Sequence, residues 1–198
     1  LKKNKLNYEI KEKQGAFYGP KIDVHVTDSL GREWQVATIQ LDFNLAERFN
    51  LTYEGQDGRK HRPVVIHRAV FGSFERFIGI LVEHYAAKFP LWLSPIQVRI
   101  LTLTDKNEKY GKEILKKLKK ENIRAELDNR PESMGKKVRD AQIEHAYFTV
   151  TVGDKEQKNK TLAIRTRDGK VKFGVKLDNL IKDALKEIEE KKSNSNNH

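Results

Sequence analysis

The hydrophobic and polar positions of the chain fall into two successions of elements. Residues 21–28 alternate polar and apolar side chains, with Ile22, Val24 and Val26 apolar, which is the two-residue period of a half-buried strand. Ser29-Leu30-Gly31-Arg32 reads as a turn and residues 33–43 as a second strand, so the two are predicted to pair antiparallel. A loop centred on Gly55-Gln56-Asp57-Gly58 leads to a short third strand over 62–67. Residues 73–88 then take helical spacing, with Phe74, Phe77, Ile78, Leu81 and Tyr85 on one face and Ser73 as the N-cap.

The second succession alternates strand and helix. Strands are predicted over 96–103, 123–127 and 147–152, the last ending at Gly153. Helices are predicted over 108–121, with Tyr110, Ile114, Leu115 and Leu118 inward, and over 133–143. Strands 162–167 and 170–175 form a hairpin across Asp168-Gly169, a pair that tolerates positive φ. A closing helix over 177–188 turns Leu177, Ile181, Ala184, Leu185 and Ile188 inward. This order implies a small mixed sheet with helices packed on it. Between the two successions, Phe89-Pro90-Leu91-Trp92-Leu93-Ser94-Pro95 carries two prolines that block helix continuation. The domain boundary is therefore expected at 93/94. The polar tail from about Lys191 is expected to be disordered.

Composition narrows the picture. Hydrophobic residues make up 37% of the 198, enough for a packed core. Cysteine is absent, which excludes disulfides and any zinc site with thiolates from this chain. No apolar run reaches the roughly 20 residues of a membrane helix, and no signal-peptide pattern opens the chain. A cytoplasmic protein with no membrane partner is expected. The first residue is Leu, so the chain is expected to be part of something longer. The net charge of +11 is uneven: residues 1–93 carry 14 basic and 11 acidic side chains, residues 94–198 carry 25 and 17. A basic half suggests a polyanionic partner, although a lysine-rich solvated surface would look the same.

Several residues could carry chemistry. In His67-Arg68-Ala69-Val70-Phe71-Gly72-Ser73-Phe74-Glu75-Arg76, a strand ends, the chain turns, and a helix begins. A guanidinium in that first turn can stack on a purine and pair with phosphate. The dipole disfavours a cation there, so Glu75 or a bound phosphate would have to compensate it; the alternative is a surface ion pair. His67 closes an apolar strand, where a histidine is usually a hydrogen-bonded core residue. Tyr18-Gly19-Pro20-Lys21 is a turn that presents an aromatic and a lysine. Gln35 and Thr38 are three apart and share a site only if their strand bends or bulges.

Taken together these segments resemble one family. Phe17-Tyr18-Gly19-Pro20-Lys21-Ile22-Asp23, Trp34-Gln35, Thr38-Ile39-Gln40-Leu41-Asp42-Phe43 and Ile66-His67-Arg68-Ala69 with Gly72-Ser73-Phe74-Glu75-Arg76 look like the C-terminal half of a threonyl-tRNA synthetase. The last segment resembles motif 3 of class II synthetases. Val152-Gly153-Asp154-Lys155-Glu156 followed by Ile164-Arg165-Thr166-Arg167 resembles the anticodon-binding domain of the threonyl, prolyl, histidyl and glycyl enzymes. The resemblance covers residues 7–190. It implies an α+β and α/β chain: part of an antiparallel catalytic sheet in 1–93, without motifs 1 and 2, then a small mixed-sheet anticodon-binding domain in 94–198.

The resemblance also implies roles. Arg76 would contact the adenine and γ-phosphate of ATP, and Gln35 and Thr38 the adenylate. Tyr18 and Ser73 would border the threonine pocket, and Lys21 and Gln40 would support adenylation. His67 would be one ligand of a Zn²⁺ that chelates threonine, a device that rejects near-isosteric valine better than an apolar pocket can. The other zinc ligands would lie outside this chain. Mg²⁺ would accompany ATP, and the parent enzyme would be a homodimer. Glu156 and Arg165 would contact anticodon bases of a threonine-type tRNA, a carboxylate accepting from cytosine and a guanidinium donating to guanine. Pro131 stands where a base-contacting Asn is expected, and His145-Ala146-Tyr147 lacks the usual basic residue and proline. The implied function is threonine–tRNA ligation by the parent, with this part binding tRNA but inactive alone. A non-catalytic RNA-binding or regulatory module, or a related enzyme such as the prolyl one, is the alternative.

Overall fold

The computed structural model describes residues 2–192. The chain divides into two units, Leu1–His84 and Tyr85–His198. The expected tail from 191 is placed at its first two residues: the Lys191 N–H bonds the Ile188 carbonyl and Lys192 pairs with Glu190. The remainder of that tail lies outside the described residues.

In the first unit, β1 (Lys21–Thr27) and β2 (Glu33–Asp42) form the predicted antiparallel pair. The turn between them closes by Gly31 N–H to the Asp28 carbonyl, with Gly31 at φ +77°. A short helix α1 (Asn44–Arg48) and a two-residue hairpin, β3 (Tyr53–Glu54) and β4 (Lys60–His61), follow; neither was predicted. The third strand, β5 (Val65–Ala69), is displaced by about three residues from expectation and pairs antiparallel with β2. Helix α2 (Phe74–His84) ends four residues early, because Ala86 and Ala87 adopt left-handed φ of +46° and +60° ahead of Pro90. Its predicted inward stripe is only partly so. Phe77, Leu81 and Tyr85 are half-buried, but Phe74 is 79% exposed and Ile78 is exposed too.

The whole first unit shares this openness. Among its described residues Ala46 is the one buried apolar side chain. Ile22, Val24, Val26, Ile39 and Ile66, which the alternation marks as a core face, are all exposed. The close approach that joins the Tyr18 turn to the sheet depends on Gly19. The Phe43 N–H bonds the Tyr18 carbonyl and the Leu41 N–H that of Pro20, and a Cβ on Gly19 would lie 2.3 Å from the Leu41 carbonyl oxygen.

The second unit has a sheet of order β10-β9-β8-β6-β7. The strands are β6 (Val98–Thr102), β7 (Ala125–Asp128), β8 (Phe148–Val152), β9 (Leu162–Thr166) and β10 (Val171–Val175). β6, β7 and β8 run parallel; β8–β9 and β9–β10 are antiparallel. Helices α3 (Glu108–Lys120), α4 (Met134–Ile143) and α6 (Leu177–Glu189) stand where helical periodicity places them. Ser133 caps α4 by accepting the Lys136 N–H at 3.3 Å. A sixth helix, α5 (Asp154–Asn159), has no counterpart in the hydrophobic pattern. The core joins Ile100, Val150, Val152 and Leu162 of the sheet to Ile114 and Leu118 of α3 and Leu180 of α6. Leu180 replaces the predicted Leu185, which is exposed.

The proline-bracketed segment belongs to this second unit, which is why the boundary falls at 84/85 and not at 93/94. Leu91 and Ser94 are fully buried. Gln97 is buried too, its amide donating to the Leu91 carbonyl at 2.8 Å and its oxygen accepting the Arg124 N–H at 2.8 Å. Arg124 reaches the carbonyls of Ser94 and Trp92 at 2.9 and 2.8 Å.

At the end of β7, Asp128 is buried and held by Arg130 through two bonds of 2.9 and 2.7 Å; Arg130 also reaches Asp140 at 2.8 Å. Buried Lys137 donates to the Thr102 carbonyl at 2.9 Å. The Arg130 guanidinium outweighs burial and keeps the Asp128 carboxyl below its ordinary range.

Two outcomes follow from this packing. Native-state hydrogen exchange is expected to show strong protection in β6 and β8 and fast exchange in β1, β2 and β5, because a unit with so few buried apolar side chains opens at little cost. Equal protection in both sheets would contradict this. Asp128→Asn is expected to lower the stability of the second unit by about 1.5 kcal/mol at pH 7, the low end for a charged hydrogen bond because Arg130 is half exposed. A depressed carboxyl pKa stabilises above the unfolded value of about 3.9 and loses that as pH falls through the folded value. Urea melts at pH 7 and pH 3 should therefore show the gap between the two proteins shrinking in acid.

Candidate functional site

One irregularity in β2 assembles the polar face of the first sheet. Asp23 is paired with Thr38 and Val24 with Ala37, but His25 is paired with Gln35, which leaves Val36 as an extra residue. A regular strand would send Gln35 and Thr38 to opposite faces. The bulge resets the alternation and puts both on the Asp23 face, meeting the condition the sequence imposed.

Asp23 is the hub of that face. Its Oδ1 accepts from Gln35 Nε2 at 2.7 Å and from the Thr38 hydroxyl at 2.8 Å, and Gln35 Nε2 also donates to Thr38 Oγ1 at 2.8 Å. Its Oδ2 takes the Lys21 ammonium at 2.7 Å. Burial pushes the Asp23 carboxyl up, but the Lys21 ammonium and Thr38 hydroxyl outweigh it and hold the group below its usual range. Three predicted site residues thus converge on one ionised carboxylate.

A second cluster continues along the same face. Gln40 lies opposite both Lys21 and His67 in the register. The Tyr18 hydroxyl donates to Gln40 Oε1 at 3.0 Å, and the Tyr18 ring meets the His67 ring edge-on at 6.1 Å. His67 Nε2 is 2.8 Å from Oδ2 of buried Asp42. The Leu45 N–H, against the cost of burial and together with His67 and the Asn44 N–H, lowers the Asp42 pKa. An ionised carboxylate only accepts, so His67 donates from Nε2, and in the neutral ring the lone pair then lies on Nδ1. That is the tautomer of a metal-binding imidazole oriented by a carboxylate. Among the described residues no group of three or more His, Cys, Asp or Glu is placed to hold a metal ion. His67 is therefore one available donor, and this chain's described residues do not complete a metal site.

Ser73 and Arg76 open α2. Ser73 Oγ accepts the Arg76 N–H at 3.3 Å, the cap predicted from sequence. Gly72, at φ +69°, makes the turn alongside the bulge: a Cβ there would lie 3.8 Å from the carbonyls of Gln35 and Val36. Phe71 stacks on Phe77 at 4.4 Å and fastens the turn to the helix. The Arg76 side chain is exposed, and among the described ion pairs none joins it to Glu75.

In the second unit Glu156 and Arg165 are not a pair across neighbouring strands. Glu156 sits on α5, where its Oε2 accepts the Gly153 N–H at 3.1 Å and caps the helix. Arg165 sits on β9 opposite Thr149 and Val171, its Nη1 donating to the Gly169 carbonyl at 3.1 Å. Three further residues organise these sites and were not singled out from sequence. Asp23 follows Lys21 by two and Asp42 follows Gln40 by two, so period-two spacing already put them on the right face. Buried Asn107 gave no such signal. Its amide donates to Asp154 at 2.9 Å and Gln157 at 3.0 Å while its oxygen accepts from Thr104, which ties the start of α5 to the loop before α3.

Comparison with known proteins assigns a family to each unit's matched segment. Residues 2–85 match the family described as tRNA synthetase class II core domain (G, H, P, S and T), and residues 97–187 match the anticodon binding domain family. A threonine–tRNA ligase of Desulfatibacillum aliphaticivorans is 56% identical over 189 residues, 96% of this chain and 30% of the relative. One of Carboxydothermus hydrogenoformans is 52% identical over 193 residues, 97% of this chain and 30% of the relative. The chain thus spans 30% of the length of these curated relatives. The crystal structure of the RNA binding domain of threonyl-tRNA synthetase from Cryptosporidium parvum is 35% identical, with a TM-score of 0.79 over 93% of this chain and 47% of that one. A prolyl-tRNA synthetase of the same organism shares the fold at 21% identity and a TM-score of 0.63, over 90% of this chain and 39% of that one. With a class II core segment ahead of an anticodon-binding domain, and more than half of its residues shared with threonine-specific relatives along almost its whole length, the chain belongs to the threonyl-tRNA synthetase family of class II synthetases.

Proposed function

We propose that this chain supplies one wall of a threonyl-adenylate site together with the domain that reads the tRNA anticodon. The complete protein joins threonine to ATP, releases pyrophosphate, and passes the threonyl group to the 3′ end of its tRNA. The observation that carries this reading is the single polar sheet face on which the Val36 bulge gathers Lys21, Gln35 and Thr38 around Asp23, next to Tyr18, Gln40 and His67.

On that face Gln35 and Thr38 contact the adenylate. Lys21 has N–H groups beyond the one given to Asp23, and with Gln40 it supports the acyl-phosphate region. Tyr18 and Ser73 border the threonine side chain. Arg76 leans over adenine and the γ-phosphate, a role its planar, always-charged group suits. Mg²⁺ bound with ATP neutralises phosphate charge. His67, oriented by Asp42, offers Nδ1 as one ligand of a threonine-chelating zinc, the remaining donors coming from outside the described residues. The complete protein is proposed to be a cytoplasmic homodimer. Glu156 and Arg165 read anticodon bases, and the capping bond of Glu156 leaves its second carboxylate oxygen for a base amino group.

Binding of an anticodon stem-loop of threonine-type tRNA, followed by fluorescence anisotropy, tests this. The native loop is expected to bind better than one with altered anticodon bases, and Glu156→Gln or Arg165→Gln to remove about 10- to 100-fold of that preference, the worth of one good base contact. Glu156→Gln keeps an acceptor for Gly153, so loss of the helix cap does not confuse the result. Equal binding of both loops would overturn the anticodon assignment. ATP–pyrophosphate exchange by the 198-residue chain alone is expected to be absent; a robust signal would mean that this wall suffices for adenylation.

A further inference from the structure

The strongest unassigned feature is a cavity of about 180 Å³ in the second unit, on the side of the sheet where Arg165 stands. Lys88, Gln142, His145, Thr149, Arg165 and Arg167 line it. None of its lining residues is acidic. The acidic residues nearest in sequence are already engaged, Glu144 by Arg99 and Asp168 by Lys170.

No described carboxylate pairs with the cations around the cavity, whereas three other arginines each hold two. Arg32 meets Asp28 and Glu83, Arg99 meets Glu126 and Glu144, and Arg130 meets Asp128 and Asp140. Arg165 and Arg167 bond only neutral oxygens. Arg165 reaches the Gly169 carbonyl. Arg167 reaches the carbonyls of Phe89 and His145 and the Ser94 hydroxyl, with its guanidinium 4.8 Å from the Tyr147 ring centroid. These bonds hold Arg167 rigidly while leaving its charge unbalanced. Burial accordingly pulls the Arg167 pKa below its ordinary value, with no carboxylate to restore it. Gathered cations with no anion among them favour an anionic guest.

Size and chemistry narrow the guest. Organic ligands occupy pockets of about 300–1,000 Å³, so this cavity suits a single phosphoryl group better than a whole nucleotide. The Arg165 guanidinium, which gives one Nη1 hydrogen to Gly169, keeps a fork for phosphate oxygens; Arg167, its N–H groups largely engaged, adds its charge; the Lys88 ammonium adds a point charge, and the Gln142 and Thr149 side chains supply neutral donors. We propose that the cavity bounded by Lys88, Arg165 and Arg167 is a phosphoryl-oxyanion site, whose guest is either a backbone phosphate of a bound RNA or a free phosphate. It rests on the reading of this unit as an RNA-binding domain only for the first source. There it fixes the register of the strand whose bases Arg165 reads, since phosphate contacts position and base contacts specify.

The test uses the full chain and inorganic phosphate as probe, with chloride at matched ionic strength as control. Phosphate is expected to shift the backbone amide NMR signals of Thr149, Thr166 and Arg167 saturably. Lys88→Gln, at an exposed position, should weaken that binding about tenfold, as loss of one charge-assisted hydrogen bond implies, and Lys88→Arg should restore most of it. An unchanged melting temperature confirms that both variants fold. In a second arm the same variants bind the anticodon stem-loop across a salt series. A fall of about one in the salt slope for Lys88→Gln, equal for native and altered anticodons, assigns the guest to RNA backbone. Phosphate binding without that fall assigns it to the free anion. Either result supports the site. No saturable shift, or one that Lys88→Gln leaves unchanged, overturns it. Anticodon preference is measured separately in the unsubstituted chain, so failure of that reading and failure of this one are told apart.

Discussion

One extra residue in a strand, Val36 in β2, decides which side chains of the first sheet meet. Were the same residues paired regularly, with no bulge, Gln35 and Thr38 would face away from each other and Asp23 would hold only Lys21 and Thr38. With it, a single carboxylate collects an ammonium, an amide and a hydroxyl on one face. The Gly72 turn runs beside the bulge, and the Tyr18 turn is drawn to the strand's far end by the close approach at Gly19. The polar face is thus a consequence of backbone register first and of side-chain chemistry second.

The two units solve the folding problem differently. The second buries Leu, Ile and Val from strands and helices around one core, each fully buried side chain contributing about 1.5–3 kcal/mol. It even takes the proline-bracketed segment into that core through Leu91 and the Gln97 clamp. The first unit holds its strands by ladder bonds and polar clusters and leaves Ile22, Val24, Ile39 and Ile66 exposed. An exposed apolar sheet face of that kind marks a contact surface. Stability and the residues proposed for the adenylate site therefore sit in different units: the better-packed one carries Glu156 and Arg165, the open one carries Asp23 and His67.

Much of this was legible beforehand where a physical period exists. The β1–β2 pair, the helices α3, α4 and α6, the Asp168-Gly169 hairpin and the Ser73 cap all follow from spacing or turn chemistry. What escaped had no period to betray it. The Val36 bulge has no glycine or proline to mark it. Helix α5 is six polar residues held by the Glu156 cap and the Asn107 staple, so it shows no apolar stripe. Helix α2 stops where two alanines turn left-handed, which composition does not announce. Leu180 and Leu185 are both apolar, and only the packed core chooses between them. Glu156 and Arg165, chosen by family resemblance, turned out to have local structural bonds that the resemblance could not supply.

The arrangement of the polar face is most directly tested by side-chain contacts of Gln35 in solution, read from a ¹⁵N-edited NOESY spectrum of the labelled chain. Cross-peaks from the Gln35 amide protons to the Thr38 side chain are the predicted result, and they should survive deletion of Val36, which leaves the two residues two apart in a regular strand. Cross-peaks instead to Val24 or Ile39, which occupy the opposite face, would show a regular strand and would remove the cluster on which the adenylate-site reading stands.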